Sequence, residues 1–415
     1  MNPAIALALL AIVGLLVTRL PPLSVPRSPT LALLLASGTP VVLLGLVLGP
    51  GIGVLDRPTL AALTPLTGLV VGWVGARLGA RCEWRLLRRV RRETWGVVAA
   101  QAIAGIGVVF VAAWLGAKLV PGLATAWTPR LPAALTLGGV AIIPGAKPTE
   151  RAARAAGVPP QLARRLRRVA LVDAACGTIA CAFALALGHP RGGHVLPGWL
   201  AWLAVAVGSG VLVGLVFVGL SRLAGRDEDV DLACFATLLL GAGIGYATGL
   251  SPFLVCAVAS ALIVNVSPHG RRVRAALAAW EAPTYAILLL LVGAALTPPT
   301  VWVLAAVPPL GVLRLVVQWS TLRSGLAYLP AAGVPLNAGL ASAAQGGAAL
   351  ALGLSFSLVY AAPGAAGGGA VLTTIALGVL LTHAVAPALM RLAFAPPRLT
   401  PGPLATELSP GPSPD

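Results

Sequence analysis

One acidic side chain, Asp173, lies in an otherwise uncharged apolar run between positions 169 and 188. Carboxylates inside membrane-spanning segments are rare and costly, and they commonly mark the path of an ion or a proton. The residues three and four positions away on a helix are Val169, Ala170, Cys176 and Gly177. Most of these are small, so a cation or a water has room beside the carboxylate. The alternative is a pair with Arg167 or Arg168, because Asp173 lies only about 6 Å into the run.

Two prolines interrupt the apolar run that precedes Asp173. Proline has no backbone N–H, so Pro144 leaves the carbonyl of Val140 without its helical donor, and Pro148 does the same for Pro144. A freed carbonyl in hydrocarbon must find another partner, which can be a side chain, a water or a monovalent cation. The run is therefore predicted to break around Gly145. An ordinary proline kink is the alternative.

A second stretch of small and polar residues, Gln345, Gly346 and Gly347, interrupts a later apolar run, 335–358. Broken segments at matching positions of two halves are a sequence-level sign of a transporter's binding site. The two breaks therefore predict two halves of one site.

Three further charges lie in or beside apolar runs. Arg314 is too deep in its run to reach the membrane surface easily, so it must face a partner or the protein interior, where it is predicted to compensate charge. Lys147 either reaches the surface or neutralises Asp173 when no cation is bound. Glu281 lies near the end of its run, where a pair with Arg274 is a simpler account than a role in the site.

The composition is that of a polytopic membrane protein. Hydrophobic residues make up 58% of the 415 positions and charged residues 10%, which is more apolar surface than a soluble core can hide. The net charge of +17 comes from arginines in short loops, where they set topology, so nucleic acid is not expected as a partner. The same arginines offer a surface to anionic lipid headgroups. Without a phosphate-binding loop or a nucleophile elbow in a suitable context, neither an enzyme nor a cofactor is expected.

Thirteen apolar runs predict an all-α fold with about thirteen transmembrane helices, since about 20 apolar residues cross the hydrocarbon. The runs are 4–20, 30–49, 58–78, 94–118, 131–148, 169–188, 198–222, 230–249, 250–267, 278–297, 299–322, 335–358 and 370–392. Basic loops alternate with less basic ones along this series, which places the N-terminus outside and the C-terminus in the cytoplasm. The transmembrane domain is predicted to occupy 1–395, and the Pro-rich segment 396–415 to be a disordered tail.

The thirteen runs divide into six, one and six. If 198–222 links two units of six, the second unit begins on the opposite side of the membrane from the first, which is the geometry of an inverted repeat. The two broken runs are then the fifth of each unit. The repeat is expected to bring them together as crossing helices.

Several motifs resemble those of the monovalent cation:proton antiporter superfamily, particularly the branch that contains the potassium efflux systems. Besides Asp173 they are Thr248-Gly-Leu-Ser-Pro252, Glu281-Ala-Pro283, Leu291-Val-Gly293 and Gln345-Gly346-Gly347. The resemblance covers about positions 130 to 360. It implies a sodium/proton antiporter-like fold and a homodimer that works by elevator-like alternating access. The parts it implies are dimerisation helices in 1–78 and 230–297, core helices in 94–188 and 299–392, and a linker helix at 198–222.

The chain departs from this family at the implied site. Val172 stands where relatives have Asn, Asp or Gln, and Gly347 stands where they have a glutamate. One acidic ligand remains, which implies electroneutral exchange of one Na⁺ or K⁺ for one proton. Two alternatives stay open: a symporter of an organic anion with the same fold, contacting Lys147 or Arg314, and a membrane sensor or scaffold without transport. A bacterial inner membrane is the expected location.

Overall fold

The structure of the chain, a computed structural model, describes most of the residues between positions 38 and 394. The described residues are 5–10, 12, 14, 38–88, 92–145, 160–189, 198–223, 226–328, 337, 339–340, 343–360 and 367–394. Lys147, Pro148 and the predicted tail 396–415 lie outside this set. The described residues are helical or irregular and contain no strand, so the predicted all-α class is confirmed for them.

The helices with described bounds follow one another along the chain. They are α1 (Thr39–Leu46, continued by a π-helical turn Val47–Gly51), α2 (Arg57–Ala62), α3 (Thr64–Gly79), α4 (Trp84–Leu87), α5 (Arg92–Leu119), α6 (Pro121–Ala126), α7 (Arg130–Ala141), α8 (Pro160–Leu187), α9 (Gly198–Leu223), α10 (Asp227–Thr248), α11 (Pro252–Val266), α12 (Gly270–Ala279), α13 (Glu281–Ala295), α14 (Val301–Tyr328), α15 (Gly347–Val359) and α16 (Gly367–Phe394).

Six helices in the described part of the chain are long and apolar enough to cross a membrane, namely α5, α8, α9, α10, α14 and α16. The count becomes seven if α12 and α13, which meet at an angle of 53°, form one span. Helices α1, α11 and α15 are shorter apolar helices. The protein is thus an integral membrane protein. The count of thirteen spans and the inverted repeat remain predictions.

The turn between α10 and α11 separates two runs that are adjacent in the sequence. Gly249 ends α10 with φ +73°, a left-handed conformation that favours glycine. Ser251 then begins α11, and its hydroxyl accepts the backbone N–H of Leu254 at 3.4 Å. A short Gly-Leu-Ser-Pro turn therefore divides the runs 230–249 and 250–267 near the predicted boundary.

Two groups of helices surround the site. In the first group, α3 packs against α10 and α11, and α13 packs against α1. In the second group, α7 packs against α5 and α8, α14 packs against α5 and α16, and α16 packs against α15. Helix α15 also contacts α3 and α13, so it joins the two groups. A division into dimerisation and core parts remains a prediction.

Ion pairs gather at one end of the first group, which we call the charged end. Glu281 at the start of α13 pairs with Arg77 of α3 at 2.5 Å and with Arg81 at 3.7 Å. Arg274 of α12 pairs with Glu83 at 2.8 Å. The predicted pair of Glu281 with Arg274 is therefore wrong, because Glu281 pairs with Arg77 of α3 and Arg274 pairs with Glu83, which directly precedes α4. Arg272 pairs with Asp231 of α10, and these contacts fasten α12 across the helix ends.

Candidate ion site

Helix α7 stops at Ala141, in the middle of its apolar run, and residues 143–145 follow outside any helix. Just before the stop, α7 crosses α8 at two glycines. A Cβ on Gly139 would lie 2.9 Å from the carbonyl oxygen of Gly177, and a Cβ on Gly177 would lie 2.4 Å from that of Gly139. Only glycine permits this backbone approach, which places the end of α7 directly against α8.

The non-helical residues after α7 meet the residues that precede α15. The backbone N–H of Gly145 donates to the carbonyl of Ala344 at 2.7 Å. A Cβ on Gly145 would lie 2.7 Å from the carbonyl oxygen of Gln345, and one on Gly346 would lie 2.8 Å from the Cα of Gly145. The two predicted breaks therefore cross each other with backbone against backbone. We call residues 142–145 and 343–346 the crossed breaks.

Side chains donate hydrogen bonds to several carbonyls at the two breaks. The amide Nε2 of Gln345 donates to the carbonyl of Val140 at 2.9 Å, so this freed carbonyl finds its donor in the opposite break. Arg314 of α14 donates through Nε to the carbonyl of Ala141 and through Nη1 to that of Ala343, at 2.8 Å for the second. One buried guanidinium thus donates to carbonyls at both breaks. Backbone carbonyls inside the hydrocarbon need such donors, because no water is there to supply them.

Asp173 lies on α8, one turn before Gly177, and its side chain is 1% exposed. Its Oδ2 accepts Nε2 of Gln101, from α5, at 3.0 Å. Its Oδ1 has no hydrogen-bond partner among the described residues. Because Arg167 is exposed while Asp173 is buried and bonded to an amide, the helix-end pair with Arg167 weighed from the sequence is not the arrangement found.

Arg314 is 3% exposed and near enough to Asp173 for their charges to interact. Its described hydrogen bonds go to peptide carbonyls of the crossed breaks. A positive charge therefore lies near the carboxylate while its N–H groups support the backbone. The charge-compensating role predicted for Arg314 stays a prediction.

Three polar residues of this region were absent from the sequence prediction. Gln101 holds Asp173, Gln318 donates to the carbonyl of Ala141 at 3.4 Å, and His383 of α16 bonds the carbonyl of Gln345 at 2.7 Å. A carbonyl only accepts, so Nε2 of His383 carries the hydrogen in this contact. Each residue lies within a predominantly apolar run, and Gln318 follows Arg314 by one helical turn. An amide or imidazole side chain in such a run was the available signal.

The remaining predicted residues are Gly346, Gly347, Glu281 and Lys147. Gly346 caps the start of α15, and Gly347 is its first residue, where a Cβ would lie 2.2 Å from Cε2 of Tyr285. Glu281 belongs to the charged end, with its arginine partners. Lys147 lies outside the described residues. In the part of the chain that the structure describes, no cluster of three His, Cys, Asp or Glu side chains could hold a metal ion.

The arrangement can bind either a proton or a small cation. A carboxylate in a low-dielectric setting is costly as a free charge, and a proton or a cation on Oδ1 removes that cost. Oxygen ligands suit hard cations, and the non-helical backbone beside the carboxylate supplies peptide oxygens as well.

Comparison with known proteins agrees with this architecture. No family profile matches the sequence, and no curated protein matches it. Two solved structures of the sodium proton antiporter MjNhaP1 from Methanocaldococcus jannaschii are similar to this chain. The one at pH 8 is 13% identical, with a TM-score of 0.61 over 95% of this chain and 99% of that chain. The one from electron microscopy is 14% identical, with a TM-score of 0.61 over 100% of both chains. The chain therefore has the fold of a sodium/proton antiporter.

Proposed function

We propose that this protein exchanges a monovalent cation, Na⁺ or K⁺, for protons across a membrane, and that Asp173 carries both in turn. The observation that carries the proposal is the state of the Asp173 carboxylate. It is 1% exposed, one oxygen accepts an amide N–H, and the other has no partner among the described residues. Buried carboxylates of this kind mark ion or proton pathways.

The crossed breaks support the same function. They bring non-helical backbone from two distant parts of the chain to the level of Asp173, in the manner of the discontinuous helices that bind ions in secondary transporters. The fold adds support, since a sodium proton antiporter shares it at a TM-score of 0.61.

Competition for one carboxylate explains the coupling between the two substrates. A proton on Asp173 removes the charge that attracts a cation, and a bound cation removes the advantage of the proton. With one acidic group, the exchange is one cation for one proton and electroneutral. The site opens to each side in turn as the second group of helices moves past the first, in an elevator-like manner.

Exchange in everted membrane vesicles with a pH-sensitive dye tests the proposal. Addition of Na⁺ or K⁺ to acidified vesicles is expected to raise the lumenal pH with the wild-type chain, and Asp173→Asn is expected to abolish the response. Gly107→Ala is the matched control, because nothing within 4 Å of that position would meet the added methyl group. A wild-type protein that responds to neither cation, nor to Li⁺, excludes antiport.

The alternatives give different results in the same vesicles. An organic-anion symporter would acidify or alkalinise the lumen only when its anion is added, and Asp173→Asn would leave anion binding at Arg314 in place. A sensor or scaffold would produce no flux with any substrate. Arg314 already donates to two peptide carbonyls, which favours the cation over the anion as the substrate.

A further inference from the structure

The partner of Asp173 carries a second unused oxygen. Gln101 is 2% exposed, its Nε2 donates to Oδ2 of Asp173 at 3.0 Å, and its Oε1 has no hydrogen-bond partner among the described residues. The orientation of this amide follows from its neighbour. A carboxylate only accepts, so the NH₂ group must face it, and Oε1 points elsewhere.

Two neighbouring side chains therefore each keep one buried acceptor without a donor. A buried acceptor that lacks a partner costs about 1–3 kcal/mol, and an apolar side chain of similar size at position 101 would avoid this cost. A group that binds both oxygens at once would remove both costs. With Asp173 ionised, the two atoms can only accept, so that group must be a cation or a hydrogen-bond donor.

The two helices that carry these oxygens, α5 and α8, both pack on the first of the crossed breaks. Gly105, one turn after Gln101 on α5, packs on Ile142, where its Cβ would lie 2.5 Å from Cγ2. Gly177, one turn after Asp173 on α8, packs on Ile143, where its Cβ would lie 2.6 Å from Cγ1. Residues 142 and 143 are therefore contacted from two different helices, one turn from Gln101 on α5 and one turn from Asp173 on α8, and the hydrogen bond between these two side chains places them at the same level of the bundle.

We propose that Gln101 is a direct ligand of the transported cation. In this assignment its Oε1 and the Oδ1 of Asp173 are two ligands from α5 and α8, and peptide oxygens of residues 142–145 complete the coordination. The Nε2 group keeps the carboxylate turned toward the cation. This assignment rests on the proposed function, and it adds a neutral ligand from a helix that lies outside both breaks.

Two substitutions separate an oxygen ligand from a mere orienting group. Gln101→Met keeps the length of the side chain and removes both polar atoms. Gln101→Glu keeps the oxygen and removes the N–H donor. A ligand role predicts that Gln101→Met raises the half-saturating cation concentration at least about tenfold, while Gln101→Glu binds as tightly as the wild type or more tightly. A role in orientation alone predicts that both substitutions weaken exchange.

The measurements are cation-dependent thermal stabilisation of the purified protein, at constant ionic strength against choline, and exchange in proteoliposomes. Gly107→Ala on the same helix is the matched control. Unchanged half-saturation in Gln101→Met, or a tenfold weaker affinity in Gln101→Glu, overturns the assignment. If Gln101→Met does not fold, Gln101→Glu alone decides: a tenfold weaker cation affinity overturns the assignment, and an affinity equal to or tighter than that of the wild type supports it. Failure of the proposed function looks different, because wild type and Asp173→Asn would then both show no cation response.

Discussion

Carboxylates occupy two contrasting settings in this molecule. At the charged end, Glu281, Asp231 and Glu83 each pair with an arginine and keep 23%, 38% and 27% of their side chains exposed. At the crossed breaks, Asp173 is 1% exposed, and its hydrogen-bond donor is the neutral amide of Gln101. The paired acids have a permanent cation in the form of a guanidinium. Asp173 accepts a hydrogen bond from a neutral amide instead, and under the proposed function its charge serves an exchangeable cation or proton.

Arg314, the arginine at the crossed breaks, has a different role from the arginines of the charged end. Arg314 gives its described hydrogen bonds to the carbonyls of Ala141 and Ala343. It therefore stabilises the backbone of both breaks and lowers the electrostatic cost of Asp173 from a distance. At the charged end, arginines pair directly with carboxylates, whereas at the crossed breaks Arg314 donates to peptide carbonyls.

The largest expected effect comes from Arg314→Leu. Each hydrogen bond from a charged donor contributes about 1.5–3 kcal/mol, so loss of the two bonds to the breaks should lower the free energy of unfolding by about 3–6 kcal/mol. Exchange should fall to background. Thermal unfolding of the detergent-purified protein measures the first effect, and Arg314→Lys should retain part of it. A leucine variant as stable as the wild type would contradict the role assigned to Arg314.

A smaller effect is expected at the point where the breaks touch. The methyl group of Gly145→Ala would lie 2.7 Å from a backbone oxygen, which cannot move as a side chain can. Overpacking of this kind costs about 1–3 kcal/mol, and the shifted breaks should reduce exchange. Gly107→Ala, in open space on α5, should instead be neutral or stabilising by up to about 1 kcal/mol. Equal stability of the two variants would show that the breaks do not require close contact.

The smallest effect is expected from Glu281→Gln at the charged end. A partly exposed ion pair contributes about 0–1 kcal/mol, so unfolding should change little. The half-saturating cation concentration should remain that of the wild type, because Glu281 pairs with Arg77 and Arg81 at the charged end. Exchange kinetics at several cation concentrations measure this. Loss of exchange in Glu281→Gln, combined with activity in Asp173→Asn, would reverse the comparison.

The sequence was informative where the chemistry is local. A proline removes a helical hydrogen bond within its own run, so Pro144 marks the first break without knowledge of any other helix. Asp173 stands out because an apolar run holds no other charge. The assignment of the protein to the all-α membrane class follows from its composition in the same way.

The partners of these residues depend on how the helices pack against one another. That packing cannot be read from local patterns in one sequence. Gln101 and Asp173 are 72 positions apart, and their contact requires α5 and α8 to pack at one level. Arg274 illustrates the same limit from the other side. Its nearest acid in the chain is Glu281, yet it pairs with Glu83, which is 191 positions away.

The crossed breaks also have a consequence for how the chain is made. The hydrogen-bond donor to the carbonyl of Ala141 is Arg314, which is 173 positions later in the chain. The donor to the carbonyl of Val140 is Gln345, which is 205 positions later. At a synthesis rate of about 5–20 residues per second, the interval is about 10–40 s. During that time the first half of the chain rests in the membrane with these peptide oxygens lacking their final donors. The nascent protein therefore needs water, lipid headgroups or an insertion factor beside α7 until its second half arrives.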